Sequence, residues 1–97
     1  MNNFHAKLAV TFFSVKDGGK EKPTQGEWYA CPLIFPNGKA LDCRLYLEGR
    51  RFMPGDEGDL YVKFLDYENA VSLLSVGQLL QLWDGGVVGR ARVIEIY

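Results

Sequence analysis

The stretch Leu41-Asp42-Cys43-Arg44-Leu45-Tyr46-Leu47-Glu48 decides how the rest of the chain is read. Apolar Leu41, Cys43, Leu45 and Leu47 alternate with Asp42, Arg44, Tyr46 and Glu48. Side chains of a strand point to opposite faces in turn, so this period of two predicts a strand buried on one face. Just upstream, Pro36-Asn37-Gly38-Lys39 separates it from an apolar run at residues 28–35. Asn-Gly between two such runs predicts a hairpin. Just downstream, Met53-Pro54-Gly55-Asp56 predicts a turn with Pro-Gly at the central positions of type II. A further strand then carries Leu60, Val62 and Phe64 and closes at residues 66–69.

The same alternation extends outward. Phe4, Ala6, Leu8, Val10 and Phe12 alternate with His5, Lys7, Ala9, Thr11 and Phe13, which predicts a first strand. Asp17-Gly18-Gly19-Lys20 ends it, because paired glycines supply the positive φ angles of tight turns. Residues 21–27 read as a polar loop. Within residues 70–83, Val71, Leu74 and Leu79-Leu80 have some helical spacing, but Gly77 interrupts it. The expectation is an irregular approach followed by a strand at 79–83. Asp84-Gly85-Gly86 turns into a last, β-branched strand over residues 87–96. Its small Gly89 and Ala91 suit close packing against another sheet or a barrel corner.

Six strands with glycine turns and no secure helix predict an all-β barrel or sandwich. Leu8, Val10, Leu41, Leu45, Val62 and Val93 are the expected core. At 97 residues the chain is one domain, 1–97, without repeat or linker. Its 47% apolar content excludes global disorder. Lys plus Arg number 11 against 12 Asp plus Glu, a net charge of −1. Such a chain offers little of the general phosphate attraction that dominates nucleic-acid binding, although a local basic patch is compatible with it. No apolar run has the length of a signal peptide or membrane span, and two cysteines make no secreted disulfide framework. A cytoplasmic, reduced protein is expected.

Recognisable catalytic chemistry is missing. Nucleophilic catalysis needs a nucleophile beside an oriented base, and the sole histidine, His5, reads as a solvent-facing strand residue. Cys31 and Cys43 with one distant histidine fall short of a structural zinc site. Their pairing depends on the hairpin. A two-residue loop sets residue 31 opposite 44, with the thiols on opposite faces; a three-residue loop sets 31 opposite 43. Buried, unreactive thiols are the favoured reading. Asp56, Glu57 and Asp59 read as a solvated acidic turn rather than a calcium loop. Gly18-Gly19-Lys20 lacks the rest of a phosphate loop.

Four motifs carry a resemblance. Phe4-x-Ala6-Lys7-Leu8, Asp17-Gly18-Gly19-Lys20-x-x-Pro23, Met53-Pro54-Gly55-Asp56 and Trp83-Asp84-Gly85-Gly86-x-Val88-Gly89 resemble, in order and spacing, segments of the C-terminal, third domain of elongation factor Tu. The resemblance covers almost the whole chain. It implies a six-stranded antiparallel β-barrel and ancestry in translation, where that barrel helps a GTPase hold aminoacyl-tRNA along its T arm and contacts protein partners. Gly18, Gly19, Pro54, Gly55, Gly85 and Gly86 stand at the turns that this skeleton shares. No phosphate loop or Asn-Lys-x-Asp motif is present, so no nucleotide is expected. The contact chemistry departs from the family: Lys20 replaces Arg, Glu21 replaces a common His, and Lys22 replaces a common Thr. Val87 replaces an Arg, and Arg90 and Arg92 are additional charges.

Two functions follow as expectations. The first is a non-catalytic protein-interaction module presenting Trp28, Tyr29 or Trp83. The alternative is an RNA-binding module that contacts a tRNA arm through Lys20, Lys22, Arg90 and Arg92, with Arg50-Arg51 as an extension. Neither a cofactor nor a metal is expected, and no membrane partner.

Overall fold

A computed structural model describes residues 3–97. Six strands are present: β1 (Ala6–Phe12), β2 (Trp28–Ile34), β3 (Ala40–Tyr46), β4 (Glu57–Phe64), β5 (Leu79–Trp83) and β6 (Val87–Ile96). They close into an antiparallel barrel in the order β1-β4-β3-β2-β5-β6, with β6 returning to β1. The period-two reading sorts the side chains as it should. Leu8, Val10, Leu41, Leu45, Val62 and Val93 are all buried in the barrel core, alongside Leu33, Leu60, Leu80 and Leu82.

Three local readings need correction or resolution. Phe4 does not continue the inward set of β1. Its ring lies on the outer surface, stacked on Tyr61 at 4.8 Å and edge-on to Tyr46 at 4.7 Å. The expected irregular approach to β5 contains a short helix, α1 (Tyr67–Leu73), so part of residues 70–83 is helical. Asp66 caps it by accepting a hydrogen bond from the Asn69 N–H, and the same polar residues look like a turn in sequence. Only Ala70 of this helix is fully buried, which is why no apolar stripe marks it.

The hairpin between β2 and β3 takes the three-residue form. The Phe35 N–H donates to the Lys39 carbonyl at 2.8 Å, leaving Pro36, Asn37 and Gly38 as the loop, and Cys31 pairs with Cys43. A two-residue Asn-Gly loop would require that N–H from residue 36, and proline has none.

The two Gly-Gly pairs meet different demands. Gly18 has φ +97° and closes the single 3₁₀ turn Val15–Asp17. Gly19 lies so close to β1 that a Cβ would stand 1.8 Å from the Phe13 carbonyl oxygen. Gly85 has φ +73°, whereas Gly86 has neither a positive φ nor any neighbour near its missing Cβ. Replacing Gly19 with Ala is therefore expected to destabilise the barrel by more than about 2 kcal/mol, because a backbone must move. Gly86→Ala should stay within about 0.5 kcal/mol of wild type. Urea unfolding of both variants checks the contrast.

Candidate binding surfaces

The loop after β1 and the turn after β5 converge on Tyr29 of β2. The Tyr29 hydroxyl donates to Asp84 Oδ2 at 2.6 Å, and Lys20 Nζ lies 3.3 Å from the same oxygen and 4.5 Å from the Tyr29 ring centroid. Burial and then the bond to Asp84 raise the Tyr29 phenol far above its usual range. The same bond, aided by Lys20, lowers the Asp84 carboxyl. Lys20 and Tyr29, expected to serve RNA and protein contacts respectively, thus join two turns. Lys22 is exposed and, with Lys20, Phe12, Phe52 and Pro54, lines a small crevice next to this cluster.

Arg90 and Arg92 project from the outer face of β6. Arg92 Nη1 donates to the Gly77 carbonyl at 3.1 Å, while Arg90 makes no ion pair among the described residues. The register places acid opposite them. Arg90 pairs with Thr11, which pairs with Glu57; Arg92 pairs with Ala9, which pairs with Asp59. Adjacent strands are about 4.8 Å apart, so each arginine faces a carboxylate across a small residue at about 10 Å. This distance is close to the screening length at physiological salt, and the face is charge-balanced rather than basic.

On the other side of Arg90 the barrel wall opens. β2 and β5 pair only through Leu33–Leu82 and Ile34–Gln81. Beyond that point β2 leaves for its hairpin while β5 continues toward Leu79. The gap is a groove of about 610 Å³ lined by Phe13, Ile34, Pro36, Leu79 and Gln81, with Arg90 on its rim. Leu79 is exposed in it, and Trp83 is exposed farther along β5.

A further surface was not legible in the sequence. Cross-strand register aligns Trp28 of β2, Tyr46 of β3, Tyr61 of β4 and Lys7 of β1 in one outer row. Arg44 and Lys63 pair in the row beside it. Arg44 lies over the Trp28 ring at 4.4 Å, and Lys63 lies 5.8 Å from the Phe4 ring and 5.9 Å from the Tyr46 ring. Lys7 stands over Tyr61 at 5.9 Å, and Tyr97 approaches that ring at 6.2 Å. Trp28, expected as a protein contact, lies exposed on this aromatic–cationic surface.

Among the described residues no three His, Cys, Asp or Glu side chains gather as a metal site, and no helix is long and apolar enough to cross a membrane. Cys31 and Cys43 are buried free thiols, and their mutual hydrogen bond followed by burial raises Cys43 well above its usual range. His5 is half-buried rather than solvent-facing. Its Nδ1 accepts the Phe64 N–H at 3.0 Å, and its ring lies 4.4 Å from that of Tyr67. No family model matches the chain, and no curated protein is significantly similar to it.

The His5 environment has a pH consequence. Burial, then the neighbouring Lys63 charge, lower its pKa from 6.5, and protonation would also remove the Nδ1 acceptor. Because the unfolded chain takes up the proton first, this contribution to stability is complete above pH 6.5 and is lost as pH falls below it. Urea midpoints measured from pH 7.5 down to about 5 should fall more steeply for wild type than for His5→Ala.

Proposed function

We propose that this chain is a non-catalytic binding module related to the third barrel of elongation factor Tu, and that its ligand is a segment of another protein. The relation is supported by the six-stranded antiparallel architecture and by the four motifs, three of which form turns at the ends of strands. The binding reading is supported by the state of the reactive groups. The only imidazole accepts a backbone hydrogen bond, and Cys43 and Tyr29 are shifted away from ionisation.

The observation that carries the choice of ligand is the opening between β2 and β5. It offers apolar walls beside two strands that have parted, with one arginine on the rim. An extended segment fits that form: apolar side chains enter the groove, and a carboxylate, from a side chain or a chain end, meets Arg90. The tRNA-arm alternative is weaker, because Lys20 is paired with Asp84 and the arginines face Glu57 and Asp59.

Selection from a displayed library of random peptides tests this. Recovered peptides should share apolar residues next to an acidic group. By calorimetry, Leu79→Asp should weaken them roughly tenfold or more, and Arg90→Ala by a smaller factor. Affinity should change little with salt. Peptides that bind Leu79→Asp as tightly as wild type would refute the groove. A salt-sensitive complex with tRNA that Arg90→Ala/Arg92→Ala abolishes would replace the protein reading with the RNA one.

A further inference from the structure

We propose that the outer face formed by β1, β4, β3 and the start of β2 binds single-stranded nucleic acid. The face stands apart from the groove and does not rest on the protein reading. In the closed order, β4 and β5 lie three places apart round a six-stranded ring, on opposite sides of the barrel.

The argument begins with two adjacent rows. Trp28, Tyr46 and Tyr61 supply a run of aromatic side chains across three neighbouring strands, ending on Lys7. Arg44 and Lys63 supply cations one step along the same strands. A single-stranded chain presents the same pairing in its own chemistry: flat bases at one edge and phosphates at the other. Base–aromatic stacking accepts any base, and cations beside the rings follow the backbone.

The surface is not simply core that spilled outward. Trp28 keeps 45% of its surface exposed, while Tyr46 and Tyr61 are half-buried with Phe4 against them, so Trp28 is the row's most open ring. Arg44, Lys63 and Lys7 rest over rings, and none of the three makes an ion pair among the described residues. The Lys63 charge reaches as far as His5. Acidic residues flank the patch, with Asp42 and Asp59 farther along their strands and Glu95 beyond Lys7. They bound its width to a narrow track, which suits one strand better than a duplex. A duplex also hides the base faces that the aromatic row would use.

The test is a fluorescence-anisotropy titration of the whole chain with a labelled oligouridine of about ten nucleotides. Saturable binding should appear at low salt. With three cations in reach, the logarithm of affinity should fall with the logarithm of salt at a slope of about −2. Trp28 emission should be quenched in parallel. Arg44→Ala/Lys63→Ala should weaken binding roughly tenfold or more and flatten the slope by about 1.4 units. Trp28→Ala, at an exposed position, should weaken it roughly fivefold or more. Lys16→Ala, on the 3₁₀ turn, should leave it unchanged. The proposal fails if no saturable binding occurs at low salt. It also fails if a duplex of equal length binds as tightly, or if Trp28→Ala and the double variant, both with native circular dichroism, bind like wild type. A peptide from the groove selection that displaces the oligonucleotide would equally overturn it, since the two surfaces would then be one.

Discussion

Closure of the sheet depends on how near β6 comes to β1. A barrel has no free edge only if its first and last strands pair as closely as any others, and here Gly89 makes that approach. A Cβ at residue 89 would stand 2.6 Å from the Thr11 carbonyl oxygen, against backbone that cannot yield. Two irregularities take up the stagger that closing requires: the β1–β6 register shifts between Lys7 and Leu8, and the β5–β6 register shifts between Leu82 and Trp83. The far end of β1 is then clamped by the Pro54-Gly55 turn. The Gly55 N–H donates to the Phe12 carbonyl, and the Phe12 N–H donates to the Asp56 carbonyl, each at 2.9 Å. Everything described on the outer faces inherits its position from this closure.

What could be read in the sequence follows from the range of each interaction. Alternation is a local property, so the strands, the inward set and the open course of the chain from turn to turn were legible. The role of Gly89 was legible too, because two small residues on one strand face signal close approach before any partner is known. Helix α1 was not, since seven residues with one buried alanine leave no periodic trace. Phe4 continues the β1 alternation on paper, yet the strand begins only at Ala6 and the ring folds over the outside. The hairpin register turned on one missing N–H at Pro36, a detail that the Asn-Gly signal overrides in a pattern search.

The surroundings of the candidate residues are set by contacts of longer range. Lys20, Tyr29 and Asp84 are far apart in the chain, and nothing local announces that they will meet. Their meeting braces two glycine turns against each other. The motifs Asp17-Gly18-Gly19-Lys20 and Trp83-Asp84-Gly85-Gly86 thus gain a shared structural purpose. Lys20 of the first and the Tyr29 hydroxyl meet at one oxygen of Asp84 of the second, which ties the two turns together. The same logic hides the aromatic–cationic surface: Trp28, Tyr46 and Tyr61 are 18 and 15 residues apart in sequence and are joined only by register.

Net charge, the quantity that most strongly argued against nucleic acid, is an average over faces that the fold keeps separate. A value of −1 is uninformative once β-pairing has sorted the charges. Across β1, Arg90 and Arg92 meet Glu57 and Asp59 in register, so the strand with the most conspicuous arginines presents a balanced field. Across β3 and β4, Arg44 meets Lys63, and the like charges are tolerated because aromatic rings, with their negative faces, lie beneath them. Two like charges directly opposite on neighbouring strands ordinarily repel. Here each of the two lies over an aromatic ring. The rings hold in place a pair of cations that make no ion pair among the described residues, and an anionic chain that brought both phosphates and bases would satisfy the two groups at once.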